Sequence, residues 1–439
     1  TGNNGTNVVT GLEFRPDLVW IKNRSTASDH LLMDCVRGPN NIRSNTTNAE
    51  QTNTNVHLQT FNPNGFTVIG TGSNSNSNGH NFAAWCWKAG TPIVPTSGSI
   101  FCPGSADHIT VTGHSDLDFG TGDFTIEGFF NTHKKSNSTI ICSNNYYTAG
   151  TNGNWLFRIT NASSFGFATY DGNSNEEYSE FSFTYSLHRW YHFAIVREGT
   201  GSNQLKVYID GNSIGAMTVS KSLSGGTTGV GIGEDLSGTN GEVQGYLSNI
   251  RIIKGTALYT SNFTAPTSPL TNITNTKLLC CQSASSATAA TVAPTSITSA
   301  GNVRSDIRNP FDAYSIDGVG YPNAAAAGLN TGTITPTGAS INTKNGFSMV
   351  TYTANGTAGA TIPHGLGKKP GWIIIKCISN ADNWMVYHHD IDTSSPEDFY
   401  LELNATGQRV NSTIMLNDTA PTSTLVTVKN DGSVNSGTR

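Results

Sequence analysis

The sequence predicts an all-β, multidomain protein in which a central two-sheet sandwich is flanked by two small β modules. Its composition, its many short strand-like segments and a repeat shared by its two ends lead to this prediction. Charged residues make up only 13% of the 439 residues, against about 25% in ordinary soluble proteins. Gly, Asn, Ser and Thr take their place, and these residues favour tight turns between strands. Disorder requires high net charge and few aromatic residues, whereas this chain has a net charge of −5 and 9% aromatic residues.

The two ends of the chain carry one sequence pattern at a constant spacing. Its positions are Gly11-Leu12, Pro16 and Val19-Trp20-Ile21-Lys22 in the first copy, and Gly365-Leu366, Pro370 and Ile373-Ile374-Ile375-Lys376 in the second. We therefore expect a small β-sandwich module at 1–92, truncated at its start, and a second copy at 346–439, truncated before its closing strand. Modular repetition of this kind is typical of arrays and shafts. It indicates a structural or adhesive protein.

Four segments of the first copy have the length and the β-branched or aromatic content of strands. They are 18–22, 30–34, 66–69 and 82–87. Asn62-Pro63-Asn64-Gly65 predicts a turn before the third segment. The fourth, Phe-Ala-Ala-Trp-Cys-Trp, is expected to close the module as a buried strand.

The middle of the chain, 93–283, predicts a different domain. Its strand-like segments include 124–130, 190–197, 205–209, 249–254 and 277–281. In the third of these, large apolar residues alternate with Lys206 and Tyr208, which is the period-two pattern of a half-buried strand. Many short strands at this spacing indicate a two-sheet sandwich. Residues 284–345 begin with a low-complexity stretch of small residues, so we expect a linker and connecting segment there.

The seven cysteines have neither a CxxC pair nor a zinc-binding spacing. We expect reduced, buried thiols, and a bridge from Cys102 to Cys280 or Cys281 is the alternative. His192 lies between aromatic residues in a core strand, which predicts a hydrogen-bonded buried histidine.

The middle domain carries four motifs in a characteristic order. They are 101–107, Gly122-Asp123-Phe124-Thr125-Ile126-Glu127, Trp190-Tyr191-His192-Phe193-Ala194 and Val207-Tyr208-Ile209-Asp210-Gly211. With these motifs, the domain resembles the laminin-G-like, concanavalin-type jelly-roll superfamily. The resemblance implies a jelly-roll sandwich at 93–283 and does not specify a ligand.

The flanking modules resemble a repeat of virion proteins of tailed bacteriophages, particularly tail fibres and appendages of marine phages. The residues that carry this resemblance are 362–372, Asn383-Trp384-Met385-Val386-Tyr387-His388 and the closing strand 82–87 of the first copy. The resemblance implies a location in the virion, with other virion proteins as partners. Low charge over a long chain also suggests surface buried by other subunits, so we expect a homo-oligomer. Resemblance to other fibres favours a trimer.

Ligand recognition is expected on loops that the rigid sandwich carries. The candidate residues for contact with a host surface glycan are Tyr146, Tyr147, Trp155, Tyr170, Asp171 and Tyr178. The alternative is that these side chains pack within their loops or against a neighbouring subunit. We expect no cofactor, although the superfamily resemblance implies that Ca²⁺ can bind at the rim of the sandwich. The candidate calcium ligands, chosen by position, are Asp107, Asp123 and Asp235.

Enzymatic activity is not expected. Glycan hydrolysis needs two carboxylates flanking the scissile bond, whereas Glu127 stands alone in its strand and Glu176-Glu177 lie in a predicted loop. The sequence has no cluster of Lys and Arg, which argues against nucleic acid as a partner, and no apolar run long enough for membrane insertion.

The sequence is therefore interpreted as a phage virion structural protein, a tail fibre or host-contacting appendage that binds a cell-surface glycan without turnover. Three alternatives remain open. The first is a purely structural shaft, capsid decoration or head fibre protein, and the second is an extracellular bacterial adhesin. The third, a glycan depolymerase, is the least favoured.

Overall fold

The structure is a computed structural model that describes residues 1–51, 57–91, 95–104, 106–143, 153–170, 176–224, 229–234 and 241–437. In these ranges regular structure is β-strand, apart from three single turns of 3₁₀-helix at Ser115–Leu117, Pro310–Asp312 and Pro396–Asp398. The predicted all-β, multidomain fold is thereby confirmed. No described helix has the length and apolar content needed to cross a membrane.

The chain divides into two compact units. One unit combines Thr1–Val94 with Asp312–Arg439, and the other is Pro95–Phe311. The two copies of the repeat, which lie at opposite ends of the sequence, therefore belong to the same unit. The second unit contains the middle domain and extends beyond the predicted end at residue 283.

In the described residues, the first copy of the repeat forms seven strands. They are β1 (Asn7–Thr10), β2 (Leu18–Asn23), β3 (Leu31–Asp34), β4 (Gly38–Arg43), β5 (His57–Asn62), β6 (Gly65–Ile69) and β7 (Phe82–Trp87). They build a three-stranded sheet in the order β1-β6-β5 and a four-stranded sheet in the order β4-β3-β2-β7. Alternate residues of β2, Val19 and Ile21, pack with Phe66 and Val68 of β6 in one apolar core. This copy is therefore a small sandwich.

The second unit is a larger sandwich. Its strands are β8 (Ser99–Cys102), β9 (His108–Val111), β10 (Phe124–Thr132), β11 (Ser138–Ser143), β12 (Asn154–Asn161), β13 (Ser164–Tyr170), β14 (Glu176–Ser182), β15 (Tyr191–Arg197), β16 (Leu205–Ile209), β17 (Asn212–Met217), β18 (Val230–Ile232), β19 (Gly245–Lys254), β20 (Thr276–Cys280), β21 (Ala290–Val292), β22 (Ile297–Ala300) and β23 (Arg304–Asp306). The nine-stranded sheet follows the order β17-β16-β15-β10-β19-β20-β21, with β8 pairing both β19 and β23. The seven-stranded sheet follows the order β14-β13-β12-β11-β18-β9-β22.

One large apolar core belongs to both sheets of this unit. Ile126 and Phe130 of β10 contribute from the nine-stranded sheet, and Phe157 and Phe165 contribute from the seven-stranded sheet. Consecutive residues of a strand point to opposite faces, so β12 and β13 each turn a second set of side chains away from this core. That outward set forms the candidate site described below.

The segment expected to be a linker contributes strands to the second unit. β21 pairs with β20, β22 with β9, and β23 with β8. Strand pairing uses backbone groups, which small residues supply as well as large ones do. A run of small residues is therefore compatible with an edge strand, and low complexity did not mark a linker here.

The remaining strands belong to the second copy and the chain that precedes it. They are β24 (Tyr314–Ile316), β25 (Val319–Tyr321), β26 (Pro336–Asn342), β27 (Phe347–Tyr352), β28 (Ala360–Pro363), β29 (Trp372–Lys376), β30 (Trp384–His388), β31 (Phe399–Glu402), β32 (Val410–Asn411) and β33 (Leu425–Val428). They build sheets in the orders β25-β24-β26-β27, β28-β33 and β29-β30-β31-β32.

The sequence repeat is also a structural repeat. Leu18 lies opposite Asp34 in the β2–β3 hairpin, and their equivalents Trp372 and His388 lie opposite each other in the β29–β30 hairpin. The pairing of β1 with β6 recurs as the pairing of β28 with β33. A strand register is specified strongly where one face of the strand is buried. Ile375 of β29 packs in an apolar core, as its equivalent Ile21 of β2 does.

A buried asparagine holds the corresponding loop in each copy. The Asn76 side-chain amide donates to the carbonyl oxygens of Gly5 at 2.7 Å and Gly70 at 3.0 Å. The Asn435 amide donates to the carbonyl oxygen of Thr357 at 2.9 Å. Both asparagines are fully buried, so these hydrogen bonds satisfy polar groups that would otherwise destabilise the fold.

An ion cluster joins three neighbouring strands of the nine-stranded sheet. The Glu127 carboxylate on β10 accepts hydrogen bonds from Arg251 on β19 at 2.6 and 2.9 Å, and it lies 3.1 Å from His192 Nε2 on β15. The Tyr259 hydroxyl donates to it at 3.0 Å. Burial would raise the pKa of Glu127, but the contacts with His192 and Arg251 outweigh this effect and lower it. The predicted hydrogen-bonded, buried state of His192 is confirmed.

We predict that Glu127→Gln lowers the free energy of unfolding of the second unit by about 3–5 kcal/mol, because Arg251 would keep a buried charge without its counter-ion. Urea denaturation followed by hydrogen exchange of Phe124–Thr132 measures this loss. Glu198→Gln is the control, since Glu198 forms an exposed pair with Lys206 at 3.6 Å and such pairs contribute less than about 1 kcal/mol. Equal losses in the two variants would contradict the prediction.

We predict that the unit containing the repeats loses stability on mild acidification. Burial, together with the nearby charge of Arg43, lowers the pKa of His57 to about 4, whereas an unfolded histidine has a pKa of about 6.5. The neutral ring therefore stabilises the fold above pH 6.5, and this contribution, about 3 kcal/mol, is lost as the pH falls towards 4.

The measurement is the urea midpoint of unfolding as a function of pH. Unfolding is followed by hydrogen exchange of peptides from β2 and β6. His57→Asn, which tolerates the positive φ of 94° at this position, should remove that part of the pH dependence. An unchanged pH profile in the variant would refute the assignment to His57.

Candidate functional site

The outward face of strands β12, β13 and β14 brings an aromatic ring and charged groups together. Trp155 and Phe157 of β12 point into the core, so Arg158 points outward by strand alternation. Gly166 of β13 lies opposite Arg158 on one side and Glu180 of β14 on the other. Side chains from three neighbouring strands therefore meet above a residue that has no side chain.

Tyr178 lies at the centre of this arrangement. The Arg158 guanidinium carbon is 5.6 Å from the centroid of the Tyr178 ring, and the Tyr178 hydroxyl donates to Glu180 Oε1 at 2.5 Å. Ser164 Oγ donates to Glu180 Oε2 at 3.3 Å. We call Arg158, Ser164, Gly166, Tyr178 and Glu180 the Tyr178 platform.

Glycine fits closely beneath the ring of Tyr178. A Cβ atom at Gly166 would lie 3.1 Å from Tyr178 Cε2 and 2.9 Å from Thr160 Cγ2, closer than side chains normally pack. Because this space is empty, the Tyr178 ring rests on the sheet and remains 39% exposed. The exposed part of the ring is held in one place by its neighbours.

The protonation state of the platform follows from its contacts. Burial raises the pKa of the Tyr178 hydroxyl, and the hydrogen bond to Glu180 raises it further. Tyr178 is therefore a neutral donor at physiological pH, beside an acceptor carboxylate and a guanidinium donor. The platform offers one apolar ring surface rimmed by donors and acceptors, which suits a ligand that has both apolar faces and hydroxyl groups.

The structure separates the six residues predicted to contact a ligand. Tyr178 is exposed at the platform, and Tyr170 is half-buried against Leu156 and Ala168 on the same sheet. Trp155 is fully buried in the main core, so its selection as a ligand contact was wrong, because its position in β12 turns it inward. Tyr146, Tyr147 and Asp171 lie outside the described residues.

Two of the candidate calcium ligands, Asp107 and Asp123, accept hydrogen bonds from the protein backbone. Asp107 is buried and its Oδ1 accepts from the Asn302 amide, while Asp123 Oδ1 accepts from the Gly199 amide at 2.8 Å. Burial raises the pKa of Asp107, so its environment disfavours the charged form. Asp235 lies outside the described residues.

A group of three side chains that can ligate a metal occurs elsewhere. Within the described part of the chain, the ligand atoms of His388, His389 and Asp390 lie within 4.8 Å of one another. His388 Nδ1, however, accepts a hydrogen bond from the Asp390 amide at 3.1 Å. All three residues are exposed, and a local turn accounts for their proximity.

Four residues of the platform were not predicted from the sequence. Arg158, Ser164, Gly166 and Glu180 belong to strands that were not expected there, since the aromatic residues of this region were assigned to loops. The alternation of Phe157 and Ile159 with Arg158 and Thr160 was the available signal for β12. The pairing that brings Glu180 opposite Gly166 has no such signal, because strand register is set in three dimensions.

The fold class agrees with comparison to known families. Residues 103–258 match the model described as the Concanavalin A-like lectin/glucanases superfamily, as the four motifs of the middle domain indicated. The chain belongs to the family described as a domain of unknown function (DUF7483), whose model matches residues 1–123 and 320–439, more than half of the chain. These matches include both copies of the repeat. No curated protein matches the sequence.

Several solved structures are similar to this chain at low sequence identity. A heptameric SAP-like pentraxin from Limulus polyphemus is 15% identical, with a TM-score of 0.36 over 49% of this chain and 96% of its own. A putative carbohydrate-binding protein from Bacteroides ovatus is 12% identical, with a TM-score of 0.35 over 70% of this chain and 93% of its own. Domains LG4-5 of the mouse laminin α1 chain are 10% identical, with a TM-score of 0.28 over 61% and 87%.

We predict that replacements at two aromatic positions of this sheet lower the stability by very different amounts. Trp155→Ala should lower the free energy of unfolding by about 3–5 kcal/mol, because it leaves a large cavity in the core. Tyr178→Ala should cost less than about 1 kcal/mol, because its ring lies at the surface. Urea denaturation monitored by hydrogen exchange of β12 and β13 measures both changes, and similar losses would show that Tyr178 is a core residue.

Proposed function

We propose that this protein binds a surface glycan at the Tyr178 platform and does so without turnover. The observation that carries the proposal is an exposed tyrosine ring, held between Arg158 and Glu180, on the outward sheet face of a domain from a lectin and glucanase superfamily. A pyranose ring presents an apolar face to an aromatic ring and hydroxyl groups to its rim. The platform supplies a partner for each.

Binding without hydrolysis is supported by where the described side chains of Glu177 and Glu180 point. Hydrolysis needs two carboxyl groups about 5–10 Å apart on either side of the scissile bond. Glu180 faces the platform, whereas Glu177, three residues earlier in β14, faces the other side. Glu177 Oε1 accepts from the Ser220 amide at 3.1 Å and from its hydroxyl at 2.6 Å. The Glu127 carboxylate is already paired with Arg251 in the buried ion cluster.

The two repeat copies act as the scaffold in this proposal. Their resemblance to tail-fibre modules supports a role as a phage virion protein, in a tail fibre or another host-contacting appendage, assembled as a homo-oligomer with a trimer favoured. A shaft segment or a capsid decoration without a receptor is the second candidate, and the repeat itself favours it. An extracellular bacterial adhesin would share the binding chemistry.

The test is binding of the fluorescently labelled full chain to intact bacterial cells, with and without periodate treatment of the cells. We expect saturable binding that periodate abolishes. Tyr178→Ala should weaken binding by about tenfold or more, equivalent to about 1.4 kcal/mol. Ile273→Ala is the matched control, because Ile273 is 36% exposed in the same unit and lies outside the platform.

Two further measurements in this assay distinguish glycan binding without turnover from the alternative functions. Added EDTA should leave binding unchanged, since the proposed contacts with the Tyr178 ring, Arg158 and Glu180 need no metal. Reducing sugar ends should not accumulate during incubation. Absence of binding to cells that adsorb the phage would favour the purely structural role. Equal binding by Tyr178→Ala and the wild type would show that the glycan does not bind at the platform.

A further inference from the structure

The outer face of the nine-stranded sheet carries two aromatic rings in contact with each other. Phe101 of β8 lies opposite Tyr246 of β19, and their ring centroids are 4.7 Å apart. Their chain neighbours Ile100 and Leu247 belong to the core of the sandwich, so strand alternation turns Phe101 and Tyr246 outward. Both rings are nevertheless buried, because other side chains cover them.

Two arginines near the end of this unit lie over these rings. Arg304 of β23 lies opposite Phe101, and its guanidinium carbon is 4.6 Å from the centroid of the Phe101 ring. The Arg308 guanidinium carbon is 5.0 Å from the centroid of the Tyr246 ring, and Arg308 Nη1 donates to the Tyr246 hydroxyl at 2.8 Å. The centroid of the His133 ring lies 6.0 and 5.4 Å from those of the two aromatic rings. We call these five residues the Arg304 site.

Arginines that lie over aromatic rings elsewhere in the chain also donate to carboxylates of the protein. Arg189 donates to Asp210 at 3.0 Å, and Arg409 donates to Asp392 at 2.8 Å. Arg304 lies over a ring in the same way, but in the described part of the chain its Nε is buried without a hydrogen-bond partner. A buried donor without an acceptor destabilises the fold. The observation therefore indicates an acceptor that a ligand supplies.

The two nearby carboxylates do not supply this acceptor. Asp306 Oδ1 accepts from the Arg308 amide at 2.9 Å, and Asp107 Oδ1 accepts from the Asn302 amide. Among the described residues, neither carboxylate forms an ion pair with Arg304. Burial lowers the pKa of Arg304, and the charge of Arg308 also lowers it, although both carboxylates act in the opposite direction. An added anion would favour the charged guanidinium that burial disfavours.

The chemistry of the Arg304 site suits an oxyanion that is attached to a sugar ring. A guanidinium presents its N–H groups in a planar fork that matches two oxygen atoms of a carboxylate or a sulfate. Arg304 and Arg308 place two guanidinium groups above adjoining rings. Trp190, which is half-buried, lies beside them with its ring 6.0 Å from that of Tyr246. Its indole offers an apolar surface to the face of a sugar ring.

We propose that the Arg304 site binds the carboxylate or sulfate group of an acidic saccharide. Arg304 makes the bidentate contact with the anionic group, Arg308 adds a second positive charge, and Trp190 contacts the sugar ring. The choice of a saccharide rests on the proposed function. The site itself lies on the sheet opposite the Tyr178 platform, and its test uses defined oligosaccharides in place of cells. Either proposal can therefore fail without the other.

The test is titration of the full chain against two labelled saccharides, followed by fluorescence anisotropy. Trigalacturonic acid carries only carboxylates, and a carrageenan tetrasaccharide carries only sulfates. We expect saturable binding of both acids, slower hydrogen exchange of the Arg304–Asp306 amides in the complexes, and at least tenfold weaker binding of the neutral methyl ester of trigalacturonic acid. Absence of saturable binding of either acid would overturn the proposal.

Variants of the protein locate the binding. Arg304→Gln should weaken binding of the acids at least tenfold. It should not lower the urea midpoint, because it removes a buried donor that has no partner. Arg409→Gln is the matched control, since Arg409 also lies over a ring but has Asp392 as its own acceptor, and it should leave binding unchanged. Equal affinity of Arg304→Gln and the wild type would refute the site.

Three comparisons test the nature of the contact. Arg304→Lys keeps the charge without the planar fork and should also weaken binding, whereas full affinity would reduce the contact to general charge attraction and contradict a bidentate site. Sodium sulfate should compete only at much higher concentration than the sulfated saccharide, and equal competition would mean that the site takes a free anion. Tyr178→Ala should bind the acids as the wild type does, and a loss of binding would place them at the platform instead.

Discussion

The buried contact between Glu127, His192 and Arg251 is the constraint on which the arrangement of the second unit depends. It ties the three central strands β10, β15 and β19 of the nine-stranded sheet on the face turned away from the core. A buried carboxylate is tolerated only with full partners, and Tyr259, from the segment that follows β19, supplies a further one. That segment stacks Tyr259 on Phe263 and covers the outer face of the sheet. The outward face of β12 to β14 on the opposite sheet is where an aromatic ring remains exposed.

The repeat shows that one sequence pattern specifies the same local structure in two places. Both copies keep the same hairpin register and the same buried asparagine, since both features are satisfied by residues inside the module. The hairpin is therefore a unit whose register is set by contacts inside each module.

The platform illustrates which parts of a site are visible in a sequence. Tyr178 was selected because aromatic residues among polar ones stand out, but Trp155 was selected for the same reason and proved to be in the core. Trp155 faces the core and Tyr178 faces outward because of their positions in the alternation of their strands. Their residue types do not reveal this difference. Gly166 became meaningful once Tyr178 was found to lie above it, through a pairing between strands that the sequence does not encode locally.

By itself, the sequence determined the fold class, the repeat and the family of the middle domain, because turn-forming composition, alternation and motif order are local properties of the chain. Tertiary structure alone decided that both repeat copies share one unit, that the segment after residue 283 supplies strands, and that Arg158 and Glu180 meet at Tyr178. These outcomes depend on backbone pairing and packing between residues far apart in the chain. The favourable free energy of these contacts arises only when distant segments meet. No local sequence pattern therefore predicts them.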